Sequence, residues 1–448
     1  MLRRLLIICL IAGVFNPVVS LRLSAQDTNS VDSNHGLSTK MDWFRGARLG
    51  IFIHWGIYAV DGVSESWSFY NKRVPHNTYM KQIERFTASK YDPTQWVNLI
   101  KESGAKYAVL TSKHHDGVAL WDTKQNNLSI PKGSPAKRDV LSPFYKELRK
   151  AGIKAGMYYS LIDWTHEDYP GFLSDQNKYN MVDNPEKWNK FLRFNSNQID
   201  ELLSLINPDL WWFDGDWEHS AEEWKAAEIR ERILAHNPSA IINGRLAGYG
   251  DYDTPEQNIP ISSPNKAWEL CLTSNTSWGY QPDDLEYKTP EELISILAEI
   301  TGKGGNLLLD IGPREDGTIP EEQINILKEI GYWTKKHDEA IFYTNAGIPD
   351  GHFYGPTSLS ADSTTLYLFT DDRSDLLIKG LVNNIKRATV LGTSIEIPVK
   401  VVGKISWSKV PGLVFMEIPA IAQDRYYTVL KLELDNKIKL YRGKGGFQ

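Results

Sequence analysis

Two cysteines in 448 residues leave almost nothing for covalent bracing. Cys9 lies in an N-terminal apolar run and only Cys271 lies beyond it, so no intrachain disulfide can hold the mature chain, even in an oxidising compartment. Apolar runs of membrane-spanning length are missing too. The stretch from Leu5 to Val14 is interrupted by Asn16 and Pro17 and is too short to cross a bilayer comfortably, so no membrane span is expected. Positive charge is not in surplus: 50 Lys and Arg stand against 56 Asp and Glu, a formal charge of -6. A phosphate backbone is bound through cationic neutralisation, so nucleic acid is an unsuitable partner.

The first residues read as a leader. Arg3 and Arg4 precede the apolar run, and Ser24-Ala25 offers a small-residue cleavage site before the polar stretch from Gln26. The expectation is a signal peptide over 1–25, an N-terminal extension over 26–41 and an exported, periplasmic or secreted product. Removing the leader takes away Arg3, Arg4 and Arg22 and no acid, moving the formal charge from -6 to -9.

What the chain does have is aromatic side chains, 15 Trp and 21 Tyr among them, many beside His, Asp or Glu. Aromatic faces next to polar groups suit sugar rings, whose C–H surfaces stack while their hydroxyls seek hydrogen bonds. Large core aromatics would account for most of them equally well.

A strand-then-helix rhythm runs through the first three quarters. Apolar runs ending in polar residues occupy 49–56, 107–117, 153–160, 209–215, 240–245, 267–273 and 306–313, with helical patterns at 93–102, 143–150, 185–206, 221–236 and 290–299. Such alternation predicts a parallel sheet, and seven or eight units predict a closed (β/α)8-type TIM barrel over 42–340. The charged residues cluster at strand C-termini, the face on which barrels place catalysis. After a helix predicted over 320–340 the pattern becomes short β-branched runs separated by Gly, Pro and Asp, as at 365–370 and 426–434. That predicts a C-terminal antiparallel β-sandwich over 341–448.

Two acids stand out on these strands. In Leu-Trp-Trp-Phe-Asp-Gly-Asp-Trp (210–217) a run of large apolar residues meets two carboxylates, and Asp214 or Asp216 suits a nucleophile walled by Trp212 and Trp217. Glu269, between Trp268 and Leu270, should be pushed toward its protonated form by desolvation, which suits a general acid. Two carboxyls from neighbouring strands, one ionised and one protonated, make a glycosidase pair. His54, His114 and His115 complete the set. Adjacent strand residues point to opposite faces, so His114 and His115 suit sugar hydroxyls better than one metal ion.

The ordered set His54-Trp-Gly with Tyr58, Ser112-Lys-His-His-Asp-Gly117, Trp121, Tyr158-Tyr-Ser, Trp212-Phe-Asp-Gly, Asn243-Gly-Arg245, Trp268-Glu269 and Ser277-Trp-Gly-Tyr280 resembles the α-L-fucosidases of glycoside hydrolase family 29. The likeness runs from about residue 42 to 340. It implies a retaining exo-glycosidase that releases terminal α-L-fucose from fucosylated oligosaccharides or glycoconjugates, with no metal or organic cofactor. It implies Asp214 as nucleophile, Glu269 as acid/base, and His54, Glu65, Trp67, His114, His115, Tyr158, Trp212, Arg245 and Trp278 as sugar-binding residues. One departure is visible: many members carry a Glu-Trp pair where this chain reads Glu65-Ser66-Trp67. A pocket altered there could accept a related pyranoside such as a galactoside. A barrel that binds carbohydrate without turning it over is the non-enzymatic alternative.

Overall fold

The structure, a computed structural model, describes residues 39–171, 179–371 and 375–443. The leader and most of the extension therefore lie outside the described residues. The described residues from Lys40 onward form one compact unit.

Seven strands of that unit form a parallel sheet: β1 (Leu49–Ile53), β2 (Tyr107–Lys113), β3 (Lys154–Ser160), β4 (Leu210–Asp214), β5 (Ile241–Ile242), β6 (Glu269–Thr273) and β7 (Asn306–Ile311). Their order is β5-β4-β3-β2-β1-β7-β6. Nearly every strand residue is buried, as expected for strands covered on both faces. The gap between β5 and β6 is filled by a segment the sequence pattern did not reveal. Tyr252 bridges to Asn243 on one side, while Asp253 and Glu256 bridge to Trp268 and Cys271 on the other. This irregular eighth stave completes the ring, so the barrel has the expected architecture with one stave that is polar and contains Pro255.

Local chemistry explains the helices between strands. Asp92 accepts the N–H groups of Thr94 and Gln95 ahead of Pro93–Glu102, with Pro93 in the first turn. Leu141–Ala151 ends on Gly152 at φ 74°, the left-handed C-terminal position. Thr289 and Glu292 form a capping box for Pro290–Gly302. The single helix predicted over 221–236 is broken, because Lys225 takes φ 55° and separates Ala221–Trp224 from Ala226–His236.

Strand alternation sorts side chains into two populations. Leu49, Ile51 and Ile53, with Trp211 and Phe213, face outward to the helices. Phe52, Val109, Tyr158, Leu210, Trp212, Cys271 and Leu308 face inward, over a floor that includes Met41, Phe44, Tyr107 and Tyr252. The barrel is thus plugged with apolar and aromatic groups below, leaving its strand C-termini to carry polar groups.

Beyond Ile341 the chain forms two antiparallel sheets. One holds β8 (Asn345–Ala346), β9 (Thr357–Leu359), β10 (Thr365–Thr370), β12 (Ile385–Val390) and β15 (Thr428–Leu434). The other holds β11 (Asp375–Lys379), β13 (Lys400–Val402) and β14 (Leu413–Glu417). Leu366, Leu368, Ile378, Val414 and Leu432 fill the space between them. Trp333, on the last long barrel helix, donates its indole N–H to Tyr427 O at 2.8 Å, tying sandwich to barrel.

Candidate active site

Asp214 closes β4 on the inward face, two residues above Trp212 and four above Leu210. The next residue, Gly215, has φ 84°, and a Cβ there would meet Ile162 Cγ1 at 2.7 Å, so only glycine turns the chain at this point. Arg245 Nη1 donates to Asp214 Oδ1 at 3.0 Å and the Tyr158 hydroxyl to Oδ2 at 3.0 Å. Asp214 remains 8% exposed, open at the barrel mouth. Asp216 has a different occupation: its Oδ2 accepts the N–H of Ala247 at 2.8 Å and holds the following loop. Of the two acids left open on sequence alone, Asp214 faces the barrel mouth while Asp216 braces the following loop.

The three histidines converge on the same mouth, each with Nδ1 tied down. His54 Nδ1 lies 2.6 Å from Asp310 Oδ1, which reaches in from β7. His114 Nδ1 is bonded to Ser66 Oγ, and its ring stacks on Tyr158 at 5.6 Å and 6°. His115 Nδ1 lies 2.6 Å from Ser160 Oγ. Ser160 donates its only proton to Ile162 O at 2.6 Å, so the bond to His115 requires the proton on Nδ1. His115 Nε2 is then a lone-pair acceptor, and it stands 3.6 Å from Asp214 Oδ2. Adjacent histidines share one pocket because the register of β2 slips between Thr111 and Lys113 and the strand ends before them.

Burial drives all three imidazoles toward the neutral form. His54 is held well below the usual range by burial and then by His114. His114 is lowered by burial and then by His115. His115 is pushed down to about 3 by burial and then by Lys113. A native pKa depressed below the unfolded value contributes stability above pH 6.5 and loses it as pH falls toward 3, because the unfolded chain takes up protons the native site refuses. Denaturant unfolding followed between pH 6 and 4 should therefore show His115→Gln flattening the pH dependence by about 1 kcal/mol per unit. An unchanged slope would mean that His115 is not held neutral.

The departure at 65–67 has a structural reading. Glu65 is buried, and its Oε1 accepts the Gly279 N–H at 2.5 Å, fixing the loop that carries Trp278. Burial pushes the Glu65 carboxyl up to about 7, against the pull of the Gly279 N–H. Ser66, interposed between Glu65 and Trp67, supplies the hydroxyl that anchors His114. Trp67 meets His115 edge-on at 5.7 Å, and Trp278 lies 5.0 Å from His54.

Glu269 does not stand where an acid/base must. It opens β6 at the N-terminal end, is 0% exposed, and has both oxygens engaged. The Tyr107 hydroxyl donates to Oε2 at 2.5 Å and the Trp212 indole N–H to Oε1 at 2.9 Å. Burial pushes its carboxyl up to about 7, as expected from its apolar neighbours, but the group belongs to the barrel floor. The second carboxyl at the mouth is Glu256, on the eighth stave. Arg245 Nη2 donates to Glu256 Oε2 at 2.6 Å, so one guanidinium spans Glu256 and Asp214. The same guanidinium lies over the Trp212 ring, 4.6 Å from its centroid. Glu256 was missed because Asp-Tyr-Asp-Thr-Pro-Glu has no strand periodicity. The available signal was arithmetic: seven apolar strands leave an eight-stave barrel one short, and the interval between Arg245 and Ala267 is the one between successive apolar runs that carries no helical pattern.

The model of the α-L-fucosidase family matches residues 19–339. The α-L-fucosidase of Dictyostelium discoideum is 29% identical over 86% of this chain and 90% of its own. The tissue α-L-fucosidase of Bos taurus is 31% identical over 67% and 68%. Among solved structures, α-L-fucosidase isoenzyme 1 from Paenibacillus thiaminolyticus superposes with a TM-score of 0.80 at 32% identity, covering 89% of this chain and 99% of that one. An α-L-fucosidase from Bacteroides thetaiotaomicron superposes with a TM-score of 0.78 at 25% identity, covering 89% and 97%. That structure is a trapped covalent intermediate with 2-fluoro-fucosyl fluoride, obtained with a glutamate-to-glutamine mutant.

Proposed function

The chain belongs to the α-L-fucosidase family and is a retaining glycoside hydrolase that releases α-L-fucose from fucosylated glycans, and on that premise we propose that Asp214 is its nucleophile and Glu256 its acid/base. The observation that carries the assignment is the Arg245 guanidinium bridging these two carboxylates, at 3.0 Å and 2.6 Å, at the C-terminal mouth of the barrel. Retention requires two carboxyls about 5–5.5 Å apart, and the guanidinium that bonds to both holds this pair on one side of the barrel mouth.

In the first step an Asp214 oxygen bonds to the anomeric carbon while the bond to the leaving oxygen breaks, and that oxygen takes the proton of Glu256. In the second, water attacks the same carbon and gives its proton to the Glu256 carboxylate, and the ester to Asp214 breaks. His54, His114 and His115 offer Nε2 to the sugar hydroxyls, each ring preset through Nδ1. Tyr158, Arg245, Trp212 and Trp278 wall the ring, with Trp67 beside His115 and Glu65 behind Gly279. The relative trapped as a covalent intermediate, with a glutamate replaced by glutamine, supports a glutamate in the proton-transfer role.

Incubation with 2-fluoro-fucosyl fluoride followed by peptide mapping tests this reading. The label is expected on the peptide containing Asp214. Label on Asp216 or Glu65 would overturn the assignment.

A further inference from the structure

Asp310 is a buried acid with little around it to stabilise a negative charge. It lies near the C-terminal end of β7, in register with the inward-facing Phe52, and is 1% exposed. Its side chain makes one bond, the 2.6 Å contact of Oδ1 with His54 Nδ1. Oδ2 is buried and meets no hydrogen-bond partner among the described residues. No Lys or Arg among them lies within ion-pair distance of Asp310, whose one such contact is His54. The other titratable groups that face it are themselves acids, Glu65 and the Tyr58 phenol. An ionised Asp310 would thus place charge on an unbonded oxygen in a dry site, and a carboxyl so placed takes up a proton instead. Burial, and then the Glu65 carboxyl, hold Asp310 well above the ordinary carboxylate range. His54 does not relieve it by becoming a cation, because burial and then His114 hold the imidazole well below its usual range.

We propose that Asp310 is a positioning residue that stays protonated and donates from Oδ1 to His54 Nδ1, so that His54 carries its ring proton on Nε2 and donates to a sugar oxygen. The result is a pair of imidazoles with opposite polarity. Ser160 keeps the proton of His115 on Nδ1, so that ring turns a lone pair to the pocket, whereas His54 turns an N–H. One sugar hydroxyl can then donate to His115 while another accepts from His54. A ring whose hydroxyls stand elsewhere leaves the N–H or the lone pair unpaired in a buried site, which is a stronger discrimination than apolar contact supplies. This rests on the reading that His54 contacts the sugar.

The test reads the His54 tautomer in the resting protein from imidazole nitrogen NMR shifts, with the His54 signals identified by their loss in His54→Phe. The expected pattern is a protonated Nε2 and a bare Nδ1. Asp310→Asn should keep that pattern, since its amide N–H can take over as donor to Nδ1, and Asp310→Leu should replace it with a mixture of tautomers. On an aryl α-L-fucoside, Asp310→Leu should lower kcat/KM by about tenfold or more, and Asp310→Asn should recover most of that loss. A His54 protonated on Nδ1, or on both nitrogens, in the unsubstituted protein would overturn the proposal. So would an Asp310→Asn variant that loses as much as Asp310→Leu. Failure of the sugar contact is separable, because it would appear as His54→Phe keeping most of its kcat/KM whatever tautomer the unsubstituted protein shows.

Discussion

On the proposed mechanism Asp214→Gly should lose turnover on an activated aryl α-L-fucoside by at least about 10⁴-fold, about 5.4 kcal/mol of transition-state stabilisation, because the carboxylate that forms the covalent intermediate is gone. Its surroundings sharpen the expectation. Arg245 and the Tyr158 hydroxyl both lose their acceptor when the carboxylate is removed, so two donors are left facing the vacated space and favour an anion there. Azide supplied from solution fits the space vacated by the side chain and attacks from that face. Turnover returns, and the product is a fucosyl azide of inverted configuration. The measurement is the rate with and without azide, with the anomeric configuration read by NMR. Near-native turnover without azide would remove Asp214 from the mechanism, and a rescued product of retained configuration would place azide on the wrong face.

The second result separates two glutamates. Glu256→Ala should lower kcat/KM on a fucosylated disaccharide by about 10²–10⁴-fold, the usual worth of proton transfer to a poor leaving group. On an aryl fucoside with a good leaving group, kcat/KM should fall far less, because the departing oxygen needs no proton. There kcat falls instead, since the second step lacks its base and the intermediate accumulates; azide should then relieve it and give a product of retained configuration. Glu269→Ala should show no such split. It leaves the Tyr107 hydroxyl and the Trp212 indole N–H buried without an acceptor, at a cost of about 1–3 kcal/mol each, so thermal stability drops and the two substrates lose activity in parallel. Dependence on the leaving group in the Glu269 variant, with none in the Glu256 variant, would reverse the assignment.

The contrast between these glutamates shows how far sequence reading reaches. The apolar neighbours Trp268 and Leu270 predict a buried Glu269 pushed toward its protonated form, and burial does push it up. Those properties are local, following from neighbours within two residues. Whether the carboxyl faces floor or mouth depends on where β6 begins against β7, and in this register Glu269 pairs with Asn306, the first residue of its strand. The pattern Trp-Glu-Leu-Cys is the same at either end of a strand. Glu256 shows the reverse: its segment carries no hydrophobic alternation, because its hydrogen bonds to Ile242, Ala267 and Cys271 are irregular and shared between two neighbours. Ser66 is a third instance, since nothing near it in sequence indicates that its hydroxyl anchors a histidine 48 positions away.

The sequence by itself determined the parallel barrel, the sandwich that follows it, and which face of each strand looks inward, because period-two alternation and helix caps are written in residues a few positions apart. It also determined that His54, His114, His115, Tyr158, Asp214 and Arg245 belong to one group, since all stand at or just past strand C-termini, and barrel closure brings those ends together. Only the tertiary structure decided the height of Glu269, the eighth stave and Glu256, the proton on His115 Nδ1, and the contact of Asp310 with His54. Each of these depends on register and on contacts across more than one strand. Such contacts are set by the simultaneous packing of the whole barrel, which no local pattern encodes.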